Sequence, residues 1–177
     1  MTDDPHQATD DARQPLSEIA AKVAHFVRDR DQGGAMSRGE RAELRRMRQG
    51  VMPPEPYWRL VSRFEIQPRD ELFWIDVVPL MVVHPHERAR SLGRALAASR
   101  ASPARIERWL RLDRLRARRE AHRLFAHLDE GFDWVGGVWL LHRWDDARRR
   151  RFARDYYLAP ETRERSRAQT SNKEEPQ

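Results

Sequence analysis

Arginine is the side chain whose type and spacing are most informative in this sequence, and a regularly spaced run of it lies within residues 37–51. There Arg38, Arg41, Arg45 and Arg48 recur at spacings of three, four and three, which would place them along one side of an α-helix. A guanidinium group presents a planar fork of N–H donors that matches phosphate oxygens. The run therefore predicts a helix face that binds phosphate groups; a basic face that meets only solvent is the alternative.

The helix that would position these arginines has its own signals. Ser37 followed by Glu40 predicts a capping box, in which each side chain accepts a hydrogen bond from the other residue's backbone N–H. Gly50 is a stop signal. The neighbouring side of the helix carries an apolar stripe, formed by Leu44, Met47 and Val51. Such a helix can dock by its apolar stripe and still present a row of guanidinium groups.

The charge of the chain is positive and uneven. Basic residues outnumber acidic ones, 34 to 28, and the pI is near 10.6. Residues 1–90 carry 14 basic and 15 acidic side chains, whereas residues 91–177 carry 20 and 13. An excess of positive charge in one half indicates a polyanionic partner. Only Lys22 and Lys173 are lysines; this preference for arginine suits phosphate binding, and a GC-rich genome would also produce it.

No catalytic or metal-binding pattern accompanies the arginines. The sequence has no Cys, and it lacks a phosphate loop, a dinucleotide fingerprint and a nucleophile elbow. Asp76 has no second carboxylate at a workable spacing, so we expect a carboxylate with satisfied hydrogen bonds that is buried or at the rim of the core. The His residues, including His84 and His86 in one loop, lack the spacing of metal ligands and are expected at the surface or its rim. We therefore predict no enzyme, no cofactor and no metal site.

The sequence also lacks a segment that would direct it to a membrane. The first residues show no basic start followed by an apolar run. The most apolar run, residues 72–83, is too short to cross a bilayer and contains Asp76. We therefore expect no membrane association and a cytoplasmic location. Because residues 72–83 are apolar nearly all round, they predict a buried helix that bends at Pro79; a buried strand is the alternative.

Apolar residues recur at helical spacing along most of the chain, and Gly and Pro residues separate the helices. The sequence predicts an all-α fold of about eight helices in two small helical bundles. The N-terminal bundle is expected over residues 15–90 and the C-terminal bundle over residues 91–158, with residues 91–98 as the join. The polar arms at 1–14 and 159–177 are expected to be disordered.

The C-terminal bundle carries a second set of outward arginines. In the helix predicted over residues 114–128, Arg119 and Arg123 lie opposite the buried face, and in the last helix Arg150 and Arg154 turn outward. The aromatic residues fall at buried helix positions, so stacking on nucleic-acid bases is not expected. Contact between arginine and the sugar-phosphate backbone is the predicted mode of binding.

Three segments of the sequence, taken in order, resemble the small subunit of the type I-E CRISPR surveillance complex Cascade, the CasB family. They are R-G-E-R-A-E-L-R-R at 38–46, S-L-G-R-A-L-A-A at 91–98, and the closing block from F-D-W to R-F-A-R-D-Y-Y at 132–157. Each motif alone is moderately specific, but their order, their spacing and the chain length make the set much more specific. The resemblance covers residues 15–158.

The resemblance implies a non-enzymatic, all-α protein of two helical bundles. It also implies that two copies of the chain lie head to tail in Cascade, against the backbone subunits that hold the guide crRNA and beside the large subunit. Their basic faces are expected to contact the backbone of the target DNA. Those contacts would stabilise the R-loop, in which the guide pairs with one strand of the target, during antiviral defence.

The residues expected to bind nucleic acid fall into three sets. Those that match family positions are Arg41, Arg45, Arg46 and Arg94. Those added from helix geometry are Arg38 and Arg48. Those that face outward without a firm family counterpart are Arg119, Arg123, Arg150 and Arg154.

Two other functions stay open from the residues alone. A free-standing protein that binds nucleic acid without regard to sequence would carry the same arginines. A protein that reads bases would be expected to present Asn or Gln from a helix, yet the only Asn is Asn172 in the tail. A structural adaptor would instead use its arginines to bind carboxylates of other proteins.

Overall fold

The computed structural model describes residues 16–28, 36–99 and 101–160, except for the side chain of Ser17. Over these residues the backbone forms nine α-helices and one 3-10 turn, and no β-strand. The prediction of an all-α fold is therefore confirmed. The predicted arm 1–14 and most of the predicted tail lie outside the described residues.

The helices are numbered in chain order, and a 3-10 turn at Pro68–Asp70 leads into the fourth. They exceed the predicted eight because the expected join at 91–98 is itself a helix. Ser91 caps it, with its hydroxyl accepting the backbone N–H of Arg94 at 3.4 Å. The bounds are α1 Leu16–Arg28, α2 Arg38–Arg45, α3 Glu55–Arg63, α4 Glu71–Val83, α5 Leu92–Ala98, α6 Pro103–Leu110, α7 Arg114–Phe125, α8 Trp134–Arg143 and α9 Asp146–Tyr157.

Six helices begin at a Ser or Asp whose side chain accepts a hydrogen bond from the backbone of the first turn. Such a cap typically stabilises a helix by about 1 kcal/mol, because it satisfies N–H groups that have no partner within the helix. The starts of these helices are therefore determined locally. The capping residues are Ser37, Ser91, Ser102, Asp113, Asp133 and Asp145.

Helix α4 is buried on nearly all sides and lies at the centre of the fold. Seven of its 13 side chains are buried, and α1, α2 and α7 all pack against it. The run 72–83 is thus a helix, as predicted, with Pro79 inside it. Tyr57 of α3 donates its hydroxyl to the carbonyl of Glu71 at 2.9 Å, which fixes α3 against the start of α4.

Helix α1 connects the two halves of the chain. It packs against both α4 and α8, and the buried residues of all three helices belong to one apolar cluster. At its end, Arg28 donates to the carbonyl of Val83 at 2.6 Å. The division of the chain into two bundles stays a prediction. No helix in the part of the chain that the structure describes is long and apolar enough to cross a membrane.

Helices α5 and α9 pack closely, and a glycine sets their separation. A Cβ atom added to Gly93 would lie 2.7 Å from the Cβ of Asp155 and 2.7 Å from the backbone oxygen of Phe152. Gly137 of α8 has a similar place against the ring of Phe132, which lies 2.7 Å from an added Cβ. At both positions any larger residue would push the neighbouring group away.

The loop after α4 is more buried than the sequence predicts. His84 was expected at the surface or its rim but is only 7% exposed, so that prediction is wrong. Its carbonyl accepts the indole N–H of Trp134 at 2.9 Å, and His86 Nδ1 accepts the backbone N–H of the same tryptophan at 3.1 Å. Burial lowers the pKa of His84 to about 4, and the positive charge of Arg28 lowers it as well.

Replacing Gly93 with Ala should weaken the packing of α5 on α9. We expect the free energy of unfolding to fall by about 1–3 kcal/mol, the usual cost of overpacking a tight contact, as measured by denaturant titration. Gly39→Ala is the matched control, because an added Cβ there meets only the Ser37 hydroxyl, at 3.9 Å. It should stabilise α2 by about 0.5–1 kcal/mol. Equal effects of the two changes would contradict the close approach.

His84 should make stability depend on pH. Its folded-state pKa lies below the value of about 6.5 in unfolded chains, so the unfolded state takes up a proton first as the pH falls. The contribution is complete above about pH 6.5 and is lost towards the folded-state value of about 4. Between about pH 7.5 and about pH 5, His84→Gln should lose about 2 kcal/mol less unfolding free energy than the wild type.

Denaturant titrations at the two pH values measure this difference. His122→Gln serves as the control, since His122 is exposed on α7. A His84→Gln protein with the pH dependence of the wild type would show that His84 is not the group responsible.

Candidate nucleic-acid interface

Helix α2 begins as predicted but ends early. Both bonds of the capping box are present: the Glu40 N–H donates to the Ser37 hydroxyl at 3.2 Å, and the Ser37 N–H donates to the Glu40 carboxylate at 2.6 Å. The helix was expected to run to Val51, but it stops at Arg45. Gly50, with φ of +80°, lies in a separate turn. Val51 is 53% exposed, so it does not belong to the apolar stripe.

The early stop changes where two of the predicted arginines lie. Arg46 is the C-terminal cap of α2, and Arg48 lies in the following turn. Both side chains are exposed, as are those of Arg38 and Arg45. None of these four guanidinium groups forms an ion pair within the described residues. Leu44 and Met47 are buried, so α2 docks by its apolar side and leaves these four charges in solvent.

Arg41 differs from its neighbours. Its side chain is half-buried, and its guanidinium group donates to the carbonyl of Met36 at 3.1 Å. This contact holds the segment before α2 against the helix. Arg41 therefore has a structural contact to maintain, and it is less free to meet a phosphate group than the four exposed arginines.

A hydrogen-bonded network joins the turn after α2 to α4 and α7. Asp76 of α4 accepts from the Gln49 amide at 2.8 Å and from Arg118 Nε at 2.6 Å. Arg119 in turn donates to the Gln49 amide oxygen at 3.0 Å. Burial raises the pKa of Asp76, and the positive charge of Arg118 offsets part of that rise. The prediction of a satisfied, partly buried carboxylate is confirmed.

The network lies directly after the end of α2. Gln49 bonds to Asp76 from a segment that has already left the helical path. The same bond brings the Arg48 turn beside Arg119 of α7. The exposed arginines of the predicted site on α2, on the turn after it and on α7 are called the α2–α7 group: Arg38, Arg45, Arg46, Arg48, Arg119 and Arg123.

Arg123 is the one member of this group with an acidic partner among the described residues. It pairs with Glu120 at 2.8 Å, where the two side chains are 71% and 41% exposed. Exposed pairs of this kind contribute little to stability, about 0–1 kcal/mol. Arg123 can therefore leave Glu120 for a phosphate group at small cost.

The remaining predicted arginines lie on the packed helices α5 and α9. Arg94, Arg150 and Arg154 are all exposed, and we call them the α5–α9 group. Arg150 lies 3.8 Å from Asp146, one turn away on the same helix. Arg151 is exposed beside them. The structure thus distributes the predicted residues over two pairs of helices.

Sequence reasoning missed the surroundings of Trp139. The aromatic residues were placed in the core, but Trp139 is half-buried. The guanidinium carbons of Arg143 and Arg148 lie 5.6 and 5.2 Å from the centre of its ring. The sequence could have predicted this partial exposure, because Trp139 follows Val138 and therefore lies outside the stripe of residues that α8 buries. Trp58 of α3 is likewise 41% exposed.

No three His, Asp or Glu side chains come close enough to hold a metal ion in the part of the chain that the structure describes. The acidic groups near the arginines have other partners. Asp133 accepts from the backbone N–H groups of Val135 and Gly136, and Asp145 caps α9. What the surface offers is therefore exposed guanidinium groups, which bind anions.

A model of the CRISPR-associated protein Cse2 family matches residues 40–157. Among curated proteins, no relative matches. One similar chain among solved structures comes from the crystal structure of E. coli Cascade bound to a PAM-containing dsDNA target, with a TM-score of 0.60 and 25% sequence identity. The similarity covers 78% of this chain and 96% of that chain. The matched residues 40–157 include every predicted site arginine except Arg38.

Removing the Asp76 carboxylate should destabilise the fold. Asp76→Ala leaves Arg118 nearly buried, at 13% exposure, without its partner, which typically costs about 3 kcal/mol or more. Glu120→Ala is the matched control, because it removes a carboxylate from an exposed pair and should cost less than about 1 kcal/mol. Denaturant unfolding measures both. Equal costs would mean that the Asp76 network does not hold the elements together.

Proposed function

Since the chain belongs to the CRISPR-associated protein Cse2 family, the small subunit of type I-E Cascade, we propose that it is a non-catalytic subunit of an RNA-guided complex that binds target DNA. The observation that carries this proposal is a set of four exposed arginines that form no ion pair within the described residues, on an element whose apolar side is docked: Arg38, Arg45, Arg46 and Arg48. Its partners would be the backbone and large subunits of Cascade, the guide crRNA, the target DNA and a second copy of the chain.

The physical task of such a subunit is to shift a balanced equilibrium. Exchanging a DNA duplex for a guide–target hybrid is nearly neutral in free energy, so a few contacts to phosphate groups are enough to favour the opened state. Those contacts need not read sequence, because base pairing with the guide does so. The α2–α7 group supplies charges of this kind, and the α5–α9 group would add to them.

The side chains favour contact with the backbone over the reading of bases. Gln49, a polar side chain suited to base recognition, is already engaged with Asp76 and Arg119. Arg38, Arg45, Arg46 and Arg48 form no ion pair within the described residues and can form two-pronged bonds with phosphate oxygens. We further propose that the chain works in the cytoplasm, where a guide-carrying complex would meet incoming DNA.

Reversing Arg45 and Arg48 to Glu should weaken the stable opening of target DNA by the reconstituted complex. Both side chains are exposed, whereas Arg41 is avoided because its contact with Met36 supports the fold. If each residue meets one phosphate group, the slope of log affinity against log salt should fall in magnitude by about 1.8 for duplex contacts or about 1.4 for single strands. Filter binding over a salt series measures the slope.

The matched control reverses Arg88 and Arg108 to Glu, since both are exposed and lie outside the two arginine groups. It changes the net charge equally and should leave the slope nearly unchanged. If the Arg45 and Arg48 variant instead failed to enter the complex, the surface would be a protein interface. Equal effects of both double variants would mean that only total charge matters.

A further inference from the structure

A pocket of about 330 Å3 opens between α5, α8 and α9. Gly93 and Phe152 contribute to its wall where α5 meets α9, and Trp139 lines it from α8. Arg151 and Asp155, one turn apart on α9, also line it. Its size lies within the range of pockets that hold small organic groups, about 300–1,000 Å3.

Trp139 gives this pocket an aromatic wall. The indole is half-buried and lines the pocket, so part of it remains accessible. The guanidinium groups of Arg143 and Arg148 lie within 5.6 Å of the ring centre, and such cation–π contacts favour one orientation of the ring. An aromatic side chain held in place offers a stacking partner with little conformational entropy left to lose.

The polar groups around the indole complement a nucleotide. Asp155 is half-buried, and its carboxylate forms no ion pair within the described residues, so it can accept a hydrogen bond from an N–H group of a base. Arg151 is exposed at the same pocket. Arg94 on α5 and Arg154 on α9 extend the positive charge along the helices that form the walls.

We propose that this pocket holds one unpaired nucleobase of a single strand, stacked on Trp139, with the Asp155 carboxylate accepting a base N–H and Arg151 contacting the neighbouring phosphate. Arg148 and Asp133 also line the pocket, but they already bond to Asp145 and to the start of α8. Arg151 and Asp155 remain for a ligand, and the exposed Arg94 and Arg154 on the helices that form the walls favour a polyanion over a cationic side chain of a partner protein. The inference rests on the proposed function, since the α5–α9 group must first hold the backbone. It adds a stacking contact that tolerates every base, because each base has a π face.

The test compares two ligands of equal charge: a thymidine 12-mer and a chain of the same length made of abasic units. The full-length wild-type protein should bind the base-bearing strand more tightly by about 5- to 150-fold, the range that stacking of one base on an aromatic side chain supplies. Trp139→Ala should remove this preference and leave the affinity for the abasic chain unchanged. Trp139→Phe, which keeps a ring, should restore part of it.

Trp58→Ala is the control, because Trp58 is also partly exposed but lies on α3, outside the pocket. It should bind both ligands as the wild type does; loss of the preference there would move the stacking site to α3 and overturn the proposal. The comparison of the two ligands on the wild-type protein does not depend on whether any variant folds. Equal wild-type affinities for the two ligands, both dependent on salt, would overturn the pocket proposal and leave the proposed function standing.

Absence of binding to either ligand would overturn both. Loss of a partner subunit from the complex on Trp139→Ala, with the preference for bases intact, would make the pocket a protein-docking site and would also overturn the proposal.

Discussion

The carboxylate of Asp76 is the contact on which the geometry of the basic surface depends. It projects from α4, the most buried helix, and accepts bonds from Gln49 and Arg118. One charge therefore ties three elements together: α4, the turn after α2, and α7. A charge removed from water costs several kcal/mol unless partners replace its hydration, so these contacts persist together. Arg119 joins them through Gln49, which fixes the spacing of the α2–α7 group.

For the binding of phosphate groups, the distribution of positive charge over this protein matters more than the net charge. Many of the arginines face acidic neighbours one turn away, as Arg123 faces Glu120 and Arg150 faces Asp146. The exposed arginines at α2 lack such partners in the described part of the chain, although the N-terminal half of the sequence is nearly neutral. A guanidinium group without a partner has no ion pair to give up when it binds phosphate. The nearly neutral half thus holds charges as available as those of the basic half, where the exposed Arg94 and Arg154 also form no ion pair within the described residues.

The sequence predicted what is determined locally and missed what depends on distant contacts. Three predictions are confirmed: the capping box of Ser37, the buried helix α4 and the resemblance to the Cascade small subunit. Each depends on residues that are close in sequence or on the order of motifs along the chain. The end of α2 at Arg45 was missed, and the segment after it bonds to Asp76, which lies far along the chain. The burial of His84 was missed too, since its contact comes from Trp134 of α8. Which arginines meet nucleic acid stays a prediction.

A protein surface that binds nucleic acid regardless of base sequence has different requirements from a surface that recognises one sequence. A reader of bases needs donors and acceptors placed for one base pair, whereas a subunit that only holds an opened strand needs contacts that every nucleotide offers. Phosphate groups are one such feature, and the flat face of a base is the other. Arginines on docked helices suit the first, because docking fixes the backbone that carries them. A half-buried indole such as Trp139 serves the second, because its ring is held by its neighbours before any base arrives. In both cases the side chains are carried on parts of the protein that are already ordered before binding. Little of the binding free energy is then lost in ordering the surface.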